Sequence, residues 1–277
     1  MMGGDDVIVK QKFNFNAEII WRIVMITGLL MTQPACRTTG EKRVEPVSTQ
    51  TAQQSFKADV EALQTVVEPI LATDMSYDSQ TGEIKYTLPE PALVRIRIGL
   101  SLTGMTIIHL VDWEYREAGK HMEVWDMKDA TGQVEFTSRN DLLVNIKCLP
   151  VEHEKMDDFK YPASVIGFRK APQLNISFPQ VQNQTGDGVS VVQDEITIRI
   201  TLSEEDNHWL METKYEMALF VDNVFVVEDE EGTNPYNYRF DTREINDGTH
   251  VVTVNVIGYE GEIGTKSALM QVNNKGK

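Results

Sequence analysis

The chain has 277 residues, of which 41% are hydrophobic and 25% charged, so it has the composition of a globular protein and a length that favours two domains. Its 42 acidic residues outnumber 26 basic ones and give a formal charge of −16. Because nucleic acids and anionic headgroups require clustered lysine and arginine, this balance excludes nucleic acid as a partner. Basic proteins remain compatible with it. The two cysteines are too few for a disulfide framework.

Residues 1–36 have the pattern of an export signal. Basic residues precede an uninterrupted apolar run over residues 23–31, which is too short to cross a bilayer but suits a secretory signal. The run is followed by Ala35 and Cys36. A small residue directly before a cysteine resembles the lipobox of bacterial lipoproteins, in which the cysteine is acylated and becomes the mature N-terminus. The resemblance implies lipidation at Cys36 and anchoring to a membrane of the cell envelope.

Two alternatives to lipidation follow from Gln33 and Pro34, which differ from the usual lipobox residues. One is an ordinary cleaved signal peptide, and the other is an N-terminal helix with a buried cysteine. Residues 37–55 are polar, contain proline and lack periodicity, so they predict a flexible tether. Residues 56–72 carry apolar positions at helical spacing, with Pro69 near the end, and predict a short helix.

From residue 75 the pattern becomes that of β-strands. Alternating apolar residues occupy 84–88 and 93–98, and turn residues occupy 78–82 and 126–132. Several submotifs within residues 75–149 resemble the immunoglobulin-like module of the flagellar hook-capping protein, which recurs in exported bacterial proteins. They are Tyr86-Thr87-Leu88-Pro89, Gly104, Ala118-Gly119, His121, Trp125-Asp126 and Asp129-Ala130-Thr131-Gly132. The resemblance implies an immunoglobulin-like fold, and residues 150–170 then form a polar linker.

A second β-pattern covers residues 171–274. Met217, Leu219 and Val221 alternate in one strand, and residues 252–256 do so in another. Four submotifs resemble the immunoglobulin-like repeats of bacterial surface proteins and polysaccharide hydrolases: Leu219 to Asn223, Asn234-Pro235-Tyr236, Phe240-Asp241-Thr242 and Asp247-Gly248-Thr249-His250. Asp222-Asn223 is expected to close a hairpin, and Gly248 to supply a positive φ. The predicted fold class is all-β, with two tandem immunoglobulin-like β-sandwiches behind a signal segment, a tether and a short helix.

The sequence carries no pattern typical of catalysis. No two of the five histidines lie at metal-ligand spacing, and there is no glycine-rich phosphate loop, G-x-S-x-G or H-E-x-x-H. Asp112 and Glu114 are interpreted as carboxylates of a turn, and Cys148 as a buried thiol. Trp113 flanks a hairpin, where an aromatic can anchor a partner, but filling of the core is the favoured interpretation. We therefore predict a protein that is not an enzyme and binds no cofactor and no metal.

The predicted partner site is an acidic loop with an aromatic anchor. Glu204, Glu205 and Asp206 would steer a basic surface, and His208 with Trp209 would supply apolar contact. The predicted function is that of an exported envelope lipoprotein that docks onto protein partners of a cell-surface or periplasmic assembly. The alternatives are a carbohydrate- or matrix-binding adhesin module and an accessory subunit of an extracellular enzyme.

Overall fold

The computed structural model describes residues 8–10, 69–137, 139–151, 169–259 and 261–275. The tether, Cys36, and most of the predicted signal, helix and linker therefore lie outside the described residues. Within the described ranges, no helix has the length and apolar character needed to span a membrane. The last four residues of the predicted helix, 69–72, are not helical, since the backbone N–H of Ile70 donates to the carbonyl of Cys148 over 3.0 Å and forms an isolated β-bridge.

The first sandwich consists of two sheets. Its strands are β1 Ile8–Lys10, β2 Thr73–Tyr77, β3 Glu83–Leu88, β4 Ala92–Leu100, β5 Thr106–Arg116, β6 Gly119–Val124 and β7 Leu142–Pro150. One sheet has the order β2-β3-β6 and the other has the order β1-β7-β4-β5. Alternate residues of β3 and β4 face each other across the gap and are buried, together with Trp125 and Phe136. Period-two burial on both sheets produces the core of a sandwich.

The second sandwich contains eight strands and one helix among the described residues. They are β8 Leu174–Ser177, β9 Ser190–Val192, β10 Glu195–Leu202, α1 Glu204–Thr213, β11 Tyr215–Val221, β12 Val224–Asp229, β13 Tyr236–Asp241, β14 Gly248–Gly258 and β15 Ile263–Val272, with a 3-10 turn at Thr242–Glu244. Its sheets have the orders β13-β10-β8 and β12-β11-β14-β15-β9. Met217, Leu219 and Val221 point into its core, as their alternation predicts. The all-β class with two immunoglobulin-like sandwiches is thus confirmed.

The predicted turn chemistry is also confirmed. Asp222 and Asn223 have φ of 50° and 65° and join β11 to β12, with Val221 opposite Val224. Two positive φ angles at the turn match the right-handed twist of the strands it connects. Gly248, at the start of β14, has φ of 145°. The sequence alone therefore located this hairpin correctly.

The two sandwiches pack sheet against sheet. Nearly every residue of β4 is buried, because Val94, Ile96 and Ile98 face the first core. On the other face, Arg97 contacts Gly261 of the second sandwich and Arg95 contacts the linker end at Arg169. Strand β11 is covered on both faces in the same way, since Ala218 and Phe220 belong to the apolar cluster of the first sandwich. An ordinary half-buried strand alternates, so this double burial marks a shared junction.

Candidate functional site

The predicted partner loop is wrong in one respect, because residues 204–209 begin the helix α1. Ser203 is the N-cap: its side chain accepts the backbone N–H of Asp206 at 3.0 Å, and its hydroxyl donates to the Asp206 carboxylate at 2.6 Å. Carboxylates in the first turn also stabilise the helix, because they interact favourably with the positive end of its dipole. The sequence does hold this signal, since Ser203 followed three residues later by Asp206 is a capping pattern.

The structure separates the five predicted partner residues. Glu204, Glu205 and His208 are exposed on α1, whereas Asp206 and Trp209 are only partly exposed. The Asp206 carboxylate accepts the backbone N–H of Gln173 at 2.8 Å and the indole N–H of Trp209 at 3.2 Å. The guanidinium of Arg169 lies 4.6 Å from the Trp209 ring centroid. Asp206 and Trp209 therefore already have internal partners, and His208 lies 3.7 Å from the Glu212 carboxylate. The role of the five residues in partner binding stays a prediction.

The end of the linker is held by the first sandwich as well. The carbonyl of Arg169 accepts the indole N–H of Trp113 at 3.2 Å and a hydrogen bond from the Arg95 guanidinium. Asp112 accepts the N–H of Ala171 at 2.8 Å and pairs with Arg95 at 2.9 Å. Asp112 is thus a strand residue of the junction rather than a turn carboxylate. Trp113 is only 3% exposed, so it fills the core, which is the favoured of its two interpretations.

Polar side chains of the second sandwich hold the backbone of the first. The Asn255 amide accepts the N–H of Thr106 at 2.7 Å and donates to the carbonyl of Thr106 at 2.9 Å, and the Thr265 hydroxyl donates to that same carbonyl at 2.9 Å. On the other side, Arg97 donates to the carbonyl of Gly261 at 2.9 Å. Buried hydrogen bonds of this kind fix geometry, because breaking one leaves a desolvated group unpaired.

Charged groups accumulate at the same junction. Burial and the nearby Arg97 lower the pKa of Lys147 to about 8, and Glu262 opposes that shift. Burial and Arg97 also lower the pKa of His109, which is therefore neutral near pH 7. Within the described ranges, no group of three or more His, Cys, Asp or Glu side chains is arranged to hold a metal ion. Charged groups of both sandwiches therefore lie close enough at the junction to shift one another's pKa values.

Two further side chains of interest have structural surroundings. Cys148 is fully buried, as predicted, and burial raises the pKa of its thiol to about 12. A thiol with that pKa is a poor nucleophile near neutrality. His250 contacts the Asp222 carboxylate at 2.6 Å and the Asn246 carbonyl at 2.8 Å, so both of its ring nitrogens are used within the second sandwich.

One exposed feature was missed from the sequence, namely the edge strand β12. Val224 and Phe225 are 64% and 49% exposed at its start, and acidic residues 228–231 end it. The signal is visible in the sequence as four apolar residues between a tight turn and an acidic run.

Comparisons with known proteins identify no family for the chain. No family model matches it. No curated protein matches it either. Solved structures share weak similarity, including an endo-beta-1,4-mannanase from Thermotoga petrophila, with 12% identity, a TM-score of 0.28 and coverage of 55% of this chain and 30% of that one.

Two further similar structures are arrays of repeated domains. The central fibronectin-III array of RIM-binding protein is 11% identical with a TM-score of 0.26, covering 77% of this chain and 71% of that one. A tetra-tandem repeat of a large adhesion protein is 13% identical with a TM-score of 0.26, covering 73% and 48%. Scores this low carry no argument about function.

Proposed function

We propose that the protein is a non-catalytic, exported envelope lipoprotein whose two sandwiches form a structural docking module for a larger cell-surface or periplasmic assembly. The observation that carries the proposal is the junction between the sandwiches. Asn255 holds the backbone of Thr106 from one side, and the linker end at Arg169 is held by both sandwiches. A docking scaffold requires fixed geometry between its surfaces, and this junction supports such a role.

Export and anchoring rest on the sequence. The apolar run over residues 23–31 and the Ala35-Cys36 junction motivate acylation of Cys36. Replacing Cys36 by Ser is expected to abolish incorporation of labelled palmitate and to shift the protein from the membrane to the soluble fraction. Cys148→Ala is the matched control, because that thiol is buried and should affect neither result. Unchanged labelling and fractionation of Cys36→Ser would contradict lipidation.

The docking role is tested by capture from the native envelope. Tagged full-length protein, crosslinked in cells and purified in mild detergent, is expected to bring down a defined protein partner, with capture that weakens as salt rises. A glycan array and hydrolase assays with the same preparation address the two alternatives. Binding to a defined glycan without a protein partner would favour the adhesin alternative, and hydrolysis would contradict a non-catalytic role.

A further inference from the structure

We propose that the free edge of β12 is a strand-addition site for an extended segment of a basic protein partner, one that carries lysine or arginine beside alternating β-branched residues. The proposal rests on the docking function proposed above and assigns it a surface. Among the described residues, β12 ends the sheet β12-β11-β14-β15-β9 and pairs only with β11. Edge strands of this kind offer unpaired backbone groups to another chain.

At the start of β12, before the register shift opposite Leu219 and Phe220, the backbone groups point the right way for such pairing. Val221 and Val224 flank the two-residue turn at Asp222 and Asn223, and residues in that position exchange both hydrogen bonds. The next pair, Phe220 and Phe225, is then a non-hydrogen-bonded pair. The N–H and carbonyl of Phe225 are consequently directed away from β11, toward the free edge.

Apolar side chains accompany these backbone groups. Phe225 is 49% exposed, yet its ring packs edge-on against Phe220 with centroids 5.9 Å apart. Phe220 is itself buried in the apolar cluster of the first sandwich. Phe225 is thus held on one side and open on the other, which is the arrangement of a binding anchor. Val224 extends the apolar edge toward the turn.

The far end of the same face is negatively charged. Ala218 lies opposite Glu228 just as Phe220 lies opposite Phe225, so Glu228 and Phe225 share one face of the sheet. Burial and repulsion from Glu228 and Glu230 raise the pKa of Glu216 on the neighbouring strand. A lysine or arginine placed here would relieve that repulsion, since opposite charges stabilise the ionised carboxylates.

Charge decides between possible occupants. A second copy of the chain would bring another formal charge of −16 and another acidic strand end to the same edge. A basic extended segment complements both parts of the edge instead. If it adds antiparallel to β12, its cations must precede its apolar residues, because Glu228 lies near the C-terminal end of the strand.

The experiment measures binding of a labelled peptide to the full-length protein by fluorescence anisotropy. The probe is Lys-Lys-Val-Thr-Val-Thr-Val, and the controls replace both lysines by glutamate or move them to the C-terminus. We expect the first peptide to bind, and the glutamate peptide to bind at least about tenfold more weakly. Equal binding of the basic and acidic peptides, or no binding of the basic one, would overturn the proposal.

Matched variants locate the site. Phe225→Ala and Val224→Thr are each expected to weaken binding by about tenfold, and Glu228→Gln with Glu230→Gln to weaken it mainly at low salt. Tyr259→Ala removes an aromatic of similar exposure, 45%, on another turn and should leave binding unchanged. Glu204→Gln with Glu205→Gln neutralises the exposed acids of α1. Loss of binding in that variant alone would place the site on α1 and overturn the β12 assignment.

The outcome is separable from the docking function itself. Capture of an envelope partner that persists in Phe225→Ala and Val224→Thr would leave the docking role intact and refute β12 as its surface. Failure of wild-type protein to capture any partner, together with peptide binding at β12, would contradict the docking role alone. Circular dichroism and thermal melting establish whether each variant is folded. Phe225→Ala loses the ring contact with Phe220, whereas Val224→Thr keeps a β-branched residue in the strand, so it tests the site without that loss.

Discussion

The two sandwiches complete corresponding edges in different ways. In the second, β14 pairs on its outer side with β15, the next strand in the chain, and β9 then adds to β15 in parallel. In the first, β7 occupies the position of β14, but its outer side meets β1 in parallel, with Ile8 opposite Leu143. Ile70 forms the other bridge to that edge, at Cys148. The outer neighbour of β14 is thus the next strand in the chain, whereas the outer neighbours of β7 come from distant parts of the chain.

The difference in strand pairing at β14 and β7 indicates where each sandwich obtains its stability. Strands that pair with sequence neighbours, as β14 and β15 do, close short loops, whereas β1 must close a loop of many residues to reach β7. Cleavage before Cys36, as proposed, would remove β1 and leave Ile70 as the described neighbour of that edge. After that cleavage, the first sandwich would depend more on its core and on the junction with the second.

The largest expected effect is in the core of the first sandwich. Trp125 is almost fully buried, packs against Phe136 with centroids 5.9 Å apart and donates to the carbonyl of Lys128 at 2.8 Å. Trp125→Ala should lower the free energy of unfolding by about 3–5 kcal/mol. Calorimetry should still show one unfolding transition, because Ala218 and Phe220 of the second sandwich pack in the apolar cluster of the first and couple the two. Two separated transitions in the wild type would contradict the dependence of the first sandwich on the second, since the sandwiches would then unfold independently.

The junction provides the next largest effect. Asn255→Ala removes both hydrogen bonds to the backbone of Thr106 and should cost about 2–4 kcal/mol. Its distinctive result is a second calorimetric transition, because the first sandwich loses support that the second does not need. Asn237→Ala, at an exposed position that bonds Arg199, is the matched control and should change little. A single unshifted transition in Asn255→Ala would contradict the coupling.

The junction was also the part that the sequence could not predict. Alternation correctly indicated that Ile96 and Ile98 face a core, but the same rule places Arg95 and Arg97 in solvent. They are buried because the linker end at Arg169 and Gly261 of the second sandwich contact them, and no local pattern encodes those contacts. The helix α1 was predictable from Ser203 and Asp206, and was missed because the acidic run was interpreted as a loop. Resemblance predicted the sandwiches, yet not how they meet.

A smaller effect concerns the charge of Lys147. Burial lowers its pKa to about 8 in the folded protein, below its ordinary value of 10.5. The unfolded chain then binds more protons above pH 8, so this group makes the protein more stable as pH rises and less stable as pH falls through about 8. Lys147→Met should remove that dependence. Urea unfolding at pH 7 and pH 9 measures it as the difference between wild type and variant.

The matched control for Lys147 is Lys85 in the first sandwich. Lys85 pairs with Glu83 at 2.6 Å on the exposed surface, and this contact raises its pKa. Lys85→Met should therefore leave the slope between pH 7 and pH 9 unchanged, because Lys85 stays protonated in both states. An equal change of slope in both variants would show that the junction does not desolvate Lys147, and would weaken the contrast between junction and surface.

The smallest expected effect concerns the segment that connects the two facing sheets within each sandwich. The first sandwich links β3 to β4 through residues 89–91, whereas the second inserts α1 between β10 and β11. That helix ends at Thr213, and its C-cap Lys214 has φ of 66° and ψ of 158°, which lie in a region that favours glycine. Lys214→Gly should relieve this strain, while glycine increases the conformational entropy of the unfolded chain and offsets part of the gain. The free energy of unfolding should rise by about 1 kcal/mol on balance.

Two companion variants isolate the cause of that gain. Lys214→Ala removes the same exposed side chain without relaxing φ, so it should not stabilise the protein. Ser203→Ala removes the N-cap at the other end of α1 and should cost about 1 kcal/mol. Chemical denaturation compares the midpoints. If Lys214→Gly and Lys214→Ala move the midpoint equally, the backbone at Lys214 is not strained, and the C-terminal end of α1 does not destabilise the second sandwich.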